Sequence, residues 1–357
     1  MTKDLSKSFI SLITNLLRNF NNMTRLECIF DNVYDNFHFI KGNLQNDSLF
    51  IVFSSRDQRT IKFFTFFKTF QKLDVDTLFI KSSQNTWYHS GITDDKKENL
   101  ADVFTEIIKQ VLLYAKTKKI NKIYVVGSSM GGYAALLFGH LVNTLFIDNN
   151  IYLEIISISP ETVLFLPNSR SIEHENFNDI VPPQFIDITL LKYYANRITI
   201  YFGEFDLVDV YSALKFKSFN KTKHVKLYSI TDGSHLIPQL LNDRYCNGIT
   251  EFFYNIFFFN IYEPIYSGNI AKCLTYKDVA PLIYDKNIFD CVEKLKDCIR
   301  KYPSFGFIYN RLGYFYEKNN NFSLAKHYYD ISLLLNKGYQ NTISHINYIL
   351  AEEKRKK

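Results

Sequence analysis

Residues 122–137, Lys-Ile-Tyr-Val-Val-Gly-Ser-Ser-Met-Gly-Gly-Tyr-Ala-Ala-Leu-Leu, constrain the chain more than any other stretch. Ile123, Tyr124, Val125 and Val126 form a short β-rich apolar run, which reads as a buried strand. Gly127-Ser-Ser-Met-Gly131 then fits G-x-S-x-G, and Gly132 to Phe138 continue as a helix. The motif alone is common by chance, so the strand–turn–helix setting carries the weight. At such an elbow a serine sits where only small neighbours fit, and Gly127, Gly131 and Gly132 supply the room. The helix that follows adds partial positive charge close to Ser129.

Around this stretch, apolar runs alternate with helical periodicity. Strands are expected over 26–30, 37–41, 48–53, 75–81, 123–126, 152–159, 197–202 and 224–230. Helices are expected over 4–20, 61–70, 94–118, 209–216 and 236–258. Residues 161–195, with Pro167, Pro182 and Pro183, read as an irregular insertion over the sheet. The alternation predicts an α/β fold, a mostly parallel sheet with helices on both faces. The expected organisation is an N-terminal amphipathic helix (1–25), the α/β domain (26–258), a connector (259–288) and a small all-α domain (289–357).

At 357 residues and 46% hydrophobic, the chain can bury a sizeable core. A formal charge of +6 is modest, and much of it lies in Lys354-Arg-Lys-Lys357, so no basic stripe points to nucleic acid. Five cysteines without a C-x-x-C argue against a disulfide framework or a zinc site and suit a reducing compartment. Residues 4–20 interleave Lys7, Asn15 and Arg18 with apolar positions, which reads as an amphipathic helix rather than a leader. No segment reads as membrane-spanning, and the expected location is cytoplasmic.

A serine nucleophile needs a base, and the base an orienting acid. Of eight histidines, His235 is best placed, after the last strand and the turn Thr231-Asp-Gly-Ser234. The acid is expected one strand earlier, where Gly203-Glu-Phe-Asp206 presents Asp206; Glu204, Asp209 and Asp232 also stand near enough in sequence to serve. The chain order is then Ser129, Asp206, His235. The oxyanion hole is expected from the backbone N–H of Met130 and from Ser54 or Ser55, after the strand at 48–53. Arg56 is a candidate contact for an anionic substrate group.

Gly127 to Gly132, Gly203 to Asp206 and Asp232 to His235 resemble the elbow, acid turn and histidine turn of the α/β-hydrolase superfamily, over roughly 26–258. The resemblance implies ester, thioester or amide acyl transfer through an acyl-serine. The chain lacks an HGGG-type segment, which argues against lipases and carboxylesterases of that type. Asn85-Thr-Trp87-Tyr88 is similar to segments in bacterial α/β-hydrolase-like proteins tied to surface-glycan modification, including the O-acetyltransferase component of accessory Sec adhesin-glycosylation systems. That implies a glycan or small acylated substrate, with Trp87 and Tyr88 offering ring faces to a sugar. A Trp that simply pins its loop to the core would leave the same sequence. No metal or tightly held cofactor is implied; an acyl-CoA donor fits the chemistry, although no residue pattern identifies one.

Tyr309, Leu312, Gly313, Tyr316, Ala325 and Tyr329 match the tetratricopeptide spacing. Ile343, Ile346 and Leu350 repeat Tyr309, Leu312 and Tyr316 one repeat later, so residues 285–352 resemble one full unit flanked by half units. Such a segment either docks on the α/β domain or serves a protein partner or self-association. The competing reading of the whole chain is a non-catalytic partner-binding protein on a hydrolase scaffold.

Overall fold

The computed structural model describes residues 30, 36–44, 47–55, 64–82, 84–90, 100–173, 179–221, 223–284, 292–337 and 339–355. The expected helix over 4–20, all but Phe30 of the strand over 26–30, residues 61–63 and 94–99 of the helices expected at 61–70 and 94–118, and Arg56 lie outside them. Seven strands form one mostly parallel sheet: β1 (Phe37–Ile40), β2 (Ser48–Phe53), β3 (Thr77–Ile80), β4 (Lys122–Ser128), β5 (Tyr152–Ile158), β6 (Arg197–Gly203) and β7 (Val225–Ile230). Their order is β1-β3-β2-β4-β5-β6-β7. The chain divides into two compact units, one comprising Met1–Ser157, Asp179–Val181 and Leu191–Ile198, the other Ile158–Asn178, Pro182–Leu190 and Thr199–Lys357.

In the first unit β2 lies between β3 and β4, parallel to both, with Phe53 opposite Ile80 on one side and Gly127 on the other. A strand covered on both faces must be apolar throughout, and β2 is buried along its whole length. β1 pairs antiparallel with β3 at the edge and is half-buried. Helices α1 (Phe67–Leu73), α2 (Leu100–Lys118) and α3 (Met130–Asp148) follow β2, β3 and β4. Helix α1 begins later than the sequence suggests, because Phe66 adopts a left-handed conformation (φ 62°) at its start. Helix α3 is the central one: Tyr133 to Phe138 are fully buried in sequence, which suits a helix enclosed on all sides.

In the second unit, the segment after β5 contains the short helix α4 (Pro183–Ile186) and is tied to α5 (Leu207–Phe219). Thr162 Oγ1 donates to Ser212 O (2.9 Å), and Lys215 pairs with Asp187 at 2.7 Å. The single closing helix expected over 236–258 is instead two, α6 (Ile237–Arg244) and α7 (Ile249–Phe259). They part at Gly248, whose φ of +64° no ordinary side chain adopts cheaply.

The C-terminal part is helical: α8 (Ile270–Cys273), α9 (Tyr276–Tyr284), α10 (Val292–Lys301), α11 (Gly306–Lys318), α12 (Phe322–Leu335) and α13 (Gln340–Arg355). Ala325, Tyr329 and Ile349 form its inner cluster, joined by Tyr314, Tyr316, Phe322 and Ile346. This part is bound to the turn after β6. Tyr302 donates its hydroxyl to Glu204 (2.7 and 2.8 Å to the two oxygens), and Ser229 Oγ donates to the same carboxylate at 2.6 Å. The Phe205 ring meets Tyr339 at 4.5 Å, edge to face. Phe205 also lies against Gly306, where an added Cβ would fall 2.1 Å from its ring. Among the described residues, no helix is long and apolar enough to cross a membrane.

Candidate active site

In the first unit, the turn between β4 and α3 is tightly determined. Ser129 has φ 54° and ψ −121°, a conformation that costs a non-glycine residue about 1–3 kcal/mol. The surroundings impose it. A Cβ on Gly131 would stand 2.2 Å from Phe53 O, and one on Gly127 would stand 2.0 Å from Gly131 O. Ser157 Oγ, on β5, donates to Gly132 O (2.9 Å) and fixes the start of the helix. Ser129 is half-buried between buried Ser128 and Met130, and its side chain makes no cap bond to the helix. Its carbonyl accepts the helical bond from Tyr133 N at 3.0 Å. Met130 opens α3, so its N–H belongs to the first turn, where no intrahelical acceptor exists.

The other amides expected in an oxyanion hole are already engaged. Ser54 N–H extends the β2–β3 ladder by donating to Ile80 O at 2.9 Å, and Ser55 N–H donates to Thr65 Oγ1 at 2.9 Å. Ser54 and Ser55 therefore shape the turn without offering these donors to a substrate.

Trp87 and Tyr88 differ from the expected sugar platform. They are 1% and 0% exposed, with φ of 49° and 70°. This left-handed turn directs both rings into the core, and Tyr88 donates its hydroxyl to Ser54 O (2.8 Å) and Ile80 O (3.2 Å). Tyr88 thus holds the Ser54 turn from beneath. His89, next in the chain, shares a 2.9 Å hydrogen bond with the Tyr133 hydroxyl, and burial drives its pKa down to about 3. It is neutral at every physiological pH.

In the second unit, the turns after β6 and β7 meet at close quarters. A Cβ on Gly203 would lie 2.3 Å from Gly233 O, and Phe205 N–H donates to that same carbonyl at 2.8 Å. The contact sets His235 over the start of α5. His235 Nδ1 lies 3.0 Å from both oxygens of Asp209, which is fully buried. The acid at the histidine is therefore Asp209, and the expectation of Asp206 is corrected. Asp206 is occupied otherwise: it caps α5 by accepting the Asp209 N–H (3.0 Å) and accepts Arg170 Nη2 at 2.6 Å. The two remaining carboxylates of these turns are engaged as well, Glu204 by Tyr302 and Ser229, and Asp232 by Arg244.

Arg170 and Glu161 were not visible as site residues in the sequence. Glu161 accepts the backbone N–H groups of Arg170 (2.6 Å) and Ser171 (3.1 Å), which fixes where the Arg170 side chain starts. Burial raises the Glu161 pKa against the opposing pull of these partners. For Asp206, burial favours protonation, but Arg170 and His235 outweigh it and its pKa falls. For His235, burial favours the neutral ring, yet the Asp209 charge and hydrogen bond leave its pKa above the ordinary 6.5. Asp206, Asp209 and His235 present ligand atoms within 4.8 Å of one another. The positive charge such a trio would ask of a metal is supplied here by the Arg170 guanidinium.

A strand ending in a strained serine, an acid after β6, a histidine after β7 and one antiparallel edge strand on an otherwise mostly parallel sheet define an α/β-hydrolase fold. No protein-family model matches the sequence. No curated protein matches it either. Among solved structures, it is similar to the capsule O-acetyltransferase of Neisseria meningitidis serogroup A, at 20% identity over 56% of this chain and 83% of that one (TM-score 0.40). It is similar to a glycosylation-associated protein complex of Streptococcus agalactiae, at 15% identity over 62% of this chain and 44% of that one (TM-score 0.40). An α/β serine hydrolase homologue from Coxiella burnetii matches at 13% identity over 58% of this chain and 91% of that one (TM-score 0.31).

Proposed function

We propose that this chain is a serine acyl-transfer enzyme, an esterase or O-acetyltransferase, with Ser129 as nucleophile, His235 as general base and Asp209 as orienting acid. The observation that carries the reading is the buried Asp209 carboxylate held against His235 Nδ1 at 3.0 Å. That bond puts the proton of neutral His235 on Nδ1 and reserves Nε2 for proton transfer. The strained Ser129 turn supports the same reading, since strain of this kind persists where the surroundings over-determine it. Ser129, Asp209 and His235 each follow the carboxyl end of a strand, the edge at which open α/β sheets bind ligands.

The chemistry proceeds in two balanced halves. Ser129 Oγ attacks the acyl carbonyl while its proton passes to His235 Nε2. The tetrahedral oxyanion takes a hydrogen bond from Met130 N–H. Collapse breaks the bond to the leaving group, which receives the proton from His235, and an acyl-serine remains. An acceptor hydroxyl then gives its proton to His235 and attacks the acyl carbon, and the released Ser129 Oγ recovers the proton. Water as acceptor makes the protein an esterase; a hydroxyl of a surface glycan or its precursor makes it an O-acetyltransferase.

Mass spectrometry of Ser129 after incubation with a panel of acyl donors, followed by release into water or candidate glycans, tests the reading. An acyl adduct on Ser129 that is absent in Ser129→Ala supports it, and the acceptor that discharges the adduct names the reaction. A folded protein that forms no adduct with any donor and none with a fluorophosphonate refutes it.

A further inference from the structure

Two carboxylates, not one, stand beside His235. Asp209 binds Nδ1 directly, and Asp206 comes within 4.8 Å of the same group of ligand atoms. A histidine facing two unneutralised carboxylates is held as imidazolium, and an imidazolium is no base. The segment between β5 and β6 answers this. Arg170 Nη2 lies 2.6 Å from Asp206 Oδ2, while Nη1 stands 3.9 Å from Asp209 Oδ1 and 3.7 Å from Glu161 Oε1. Nη1 is buried and forms no hydrogen bond, so it sits between two carboxylates as a charge rather than as a donor. The backbone of Arg170 is itself clamped by Glu161, so the guanidinium is delivered by a rigid support.

We propose that Arg170 is a positioning residue of the acyl-transfer site: its guanidinium pairs with Asp206 and offsets its charge, leaving Asp209 as the carboxylate hydrogen-bonded to the histidine. This rests on His235 being the base of the proposed reaction. Among the described residues, the charged groups acting on His235 include Asp209 on α5, Asp206 at its cap, and Arg170 and Glu161 from the segment after β5. Tyr339 approaches Asp206 from the C-terminal side. Arg170 is the only positive charge among these groups. Its charge opposes those of Asp209 and Asp206 on His235, in the direction the geometry requires.

The test titrates the His235 imidazole by NMR in the full chain, alongside the pH profile of kcat/KM on a nitrophenyl acetate ester. Arg170→Met moves the His235 pKa upward by about 1 unit, the lower end of the range for a nearby charge, and moves the acid limb of the profile with it. Arg170→Lys keeps most of the wild-type value. Asp206→Asn, with Arg170 retained, moves the histidine downward, and the double variant Arg170→Met/Asp206→Asn returns it towards wild type. Should Arg170→Met fail to fold, the direction of the shift in Asp206→Asn still decides. Unmoved His235 titrations in both single variants, with only lower stability or a uniform loss of kcat, overturn the proposal and leave Arg170 a structural residue. A wild-type protein that turns over no ester would remove the acyl-transfer reading, while the NMR titration would still judge Arg170.

Discussion

Replacing Asp209 by asparagine separates the acid at the histidine from its neighbour. Both Asp209 oxygens lie 3.0 Å from Nδ1, and the side chain is fully buried. Asparagine fits the same volume but carries no charge. If its amide nitrogen faces the ring, Nδ1 must accept and the proton is forced onto Nε2, the nitrogen meant to receive it. The equivalent substitution in a serine triad lowers kcat about 10⁴-fold, which is about 5.4 kcal/mol of transition-state stabilisation. We expect a loss of that order here. Asp206→Asn keeps the cap on α5, since asparagine caps as well as aspartate, and it loses the Arg170 pair. Its kcat falls by less than about 10-fold, because a partly exposed ion pair that does not touch the reacting atoms contributes little directly. Both variants are assayed for ester turnover at pH 8, with circular dichroism confirming the fold. The reverse ranking, with Asp206→Asn inactive and Asp209→Asn within 10-fold of wild type, refutes the assignment.

The raised pKa of His235 sets the pH dependence: below it the base is protonated, so kcat/KM rises with pH through a midpoint above 6.5 and then levels. The same shift acts on stability in the opposite sense: the contribution from His235 is fully present below 6.5 and is lost as pH rises through the folded pKa, measurable by urea unfolding across that window. Gly131→Ala drives a Cβ to 2.2 Å from Phe53 O, and the strand backbone cannot yield, so a loss of about 3 kcal/mol in urea unfolding is expected. Tyr302→Phe strips one buried donor from Glu204 and costs about 1–3 kcal/mol by the same assay. Burial already raises the Glu204 pKa and Tyr302 opposes it, so the Tyr302→Phe penalty grows as pH rises above the ordinary 4.5; equal penalties at pH 5 and pH 8 would refute an ionised Glu204.

The serine turn was legible in sequence because a close backbone crossing admits only glycine, and the spacing of Gly127 and Gly131 records that crossing. β2 was legible because burial on both faces leaves an uninterrupted apolar run. The acid was misread by three residues for a local reason. Asp206 and Asp209 both follow β6 and lie one helical turn apart, and aspartate at the first of these positions is also the commonest kind of helix cap. Only the neighbour each carboxylate meets separates the two roles. Trp87 and Tyr88 were misjudged because their left-handed turn, which points the rings inward, has no glycine to announce it. The break between α6 and α7 was signalled by the polar Asn242-Asp-Arg244 and the Asn247-Gly248 turn pair, which a single helix over 236–258 passes over. Arg170 left no trace at all: it belongs to a segment without regular periodicity, and its role exists only through Asp206, brought to it by the fold.

The grip of the C-terminal helices on residues 204 and 205 has a practical consequence. Tyr302, Gly306 and Tyr339 hold the two residues immediately before Asp206, the cap of the helix that carries Asp209. The tail is therefore no detachable cargo. A truncation after α7 would strip the Tyr302 donor from the buried Glu204 carboxylate, leaving Ser229, and bare the Phe205 ring one residue ahead of Asp206, so trimming the chain to its sheet removes a wall of the histidine turn. Conversely, a load applied to α10 or α11 reaches that turn with no linker to absorb it.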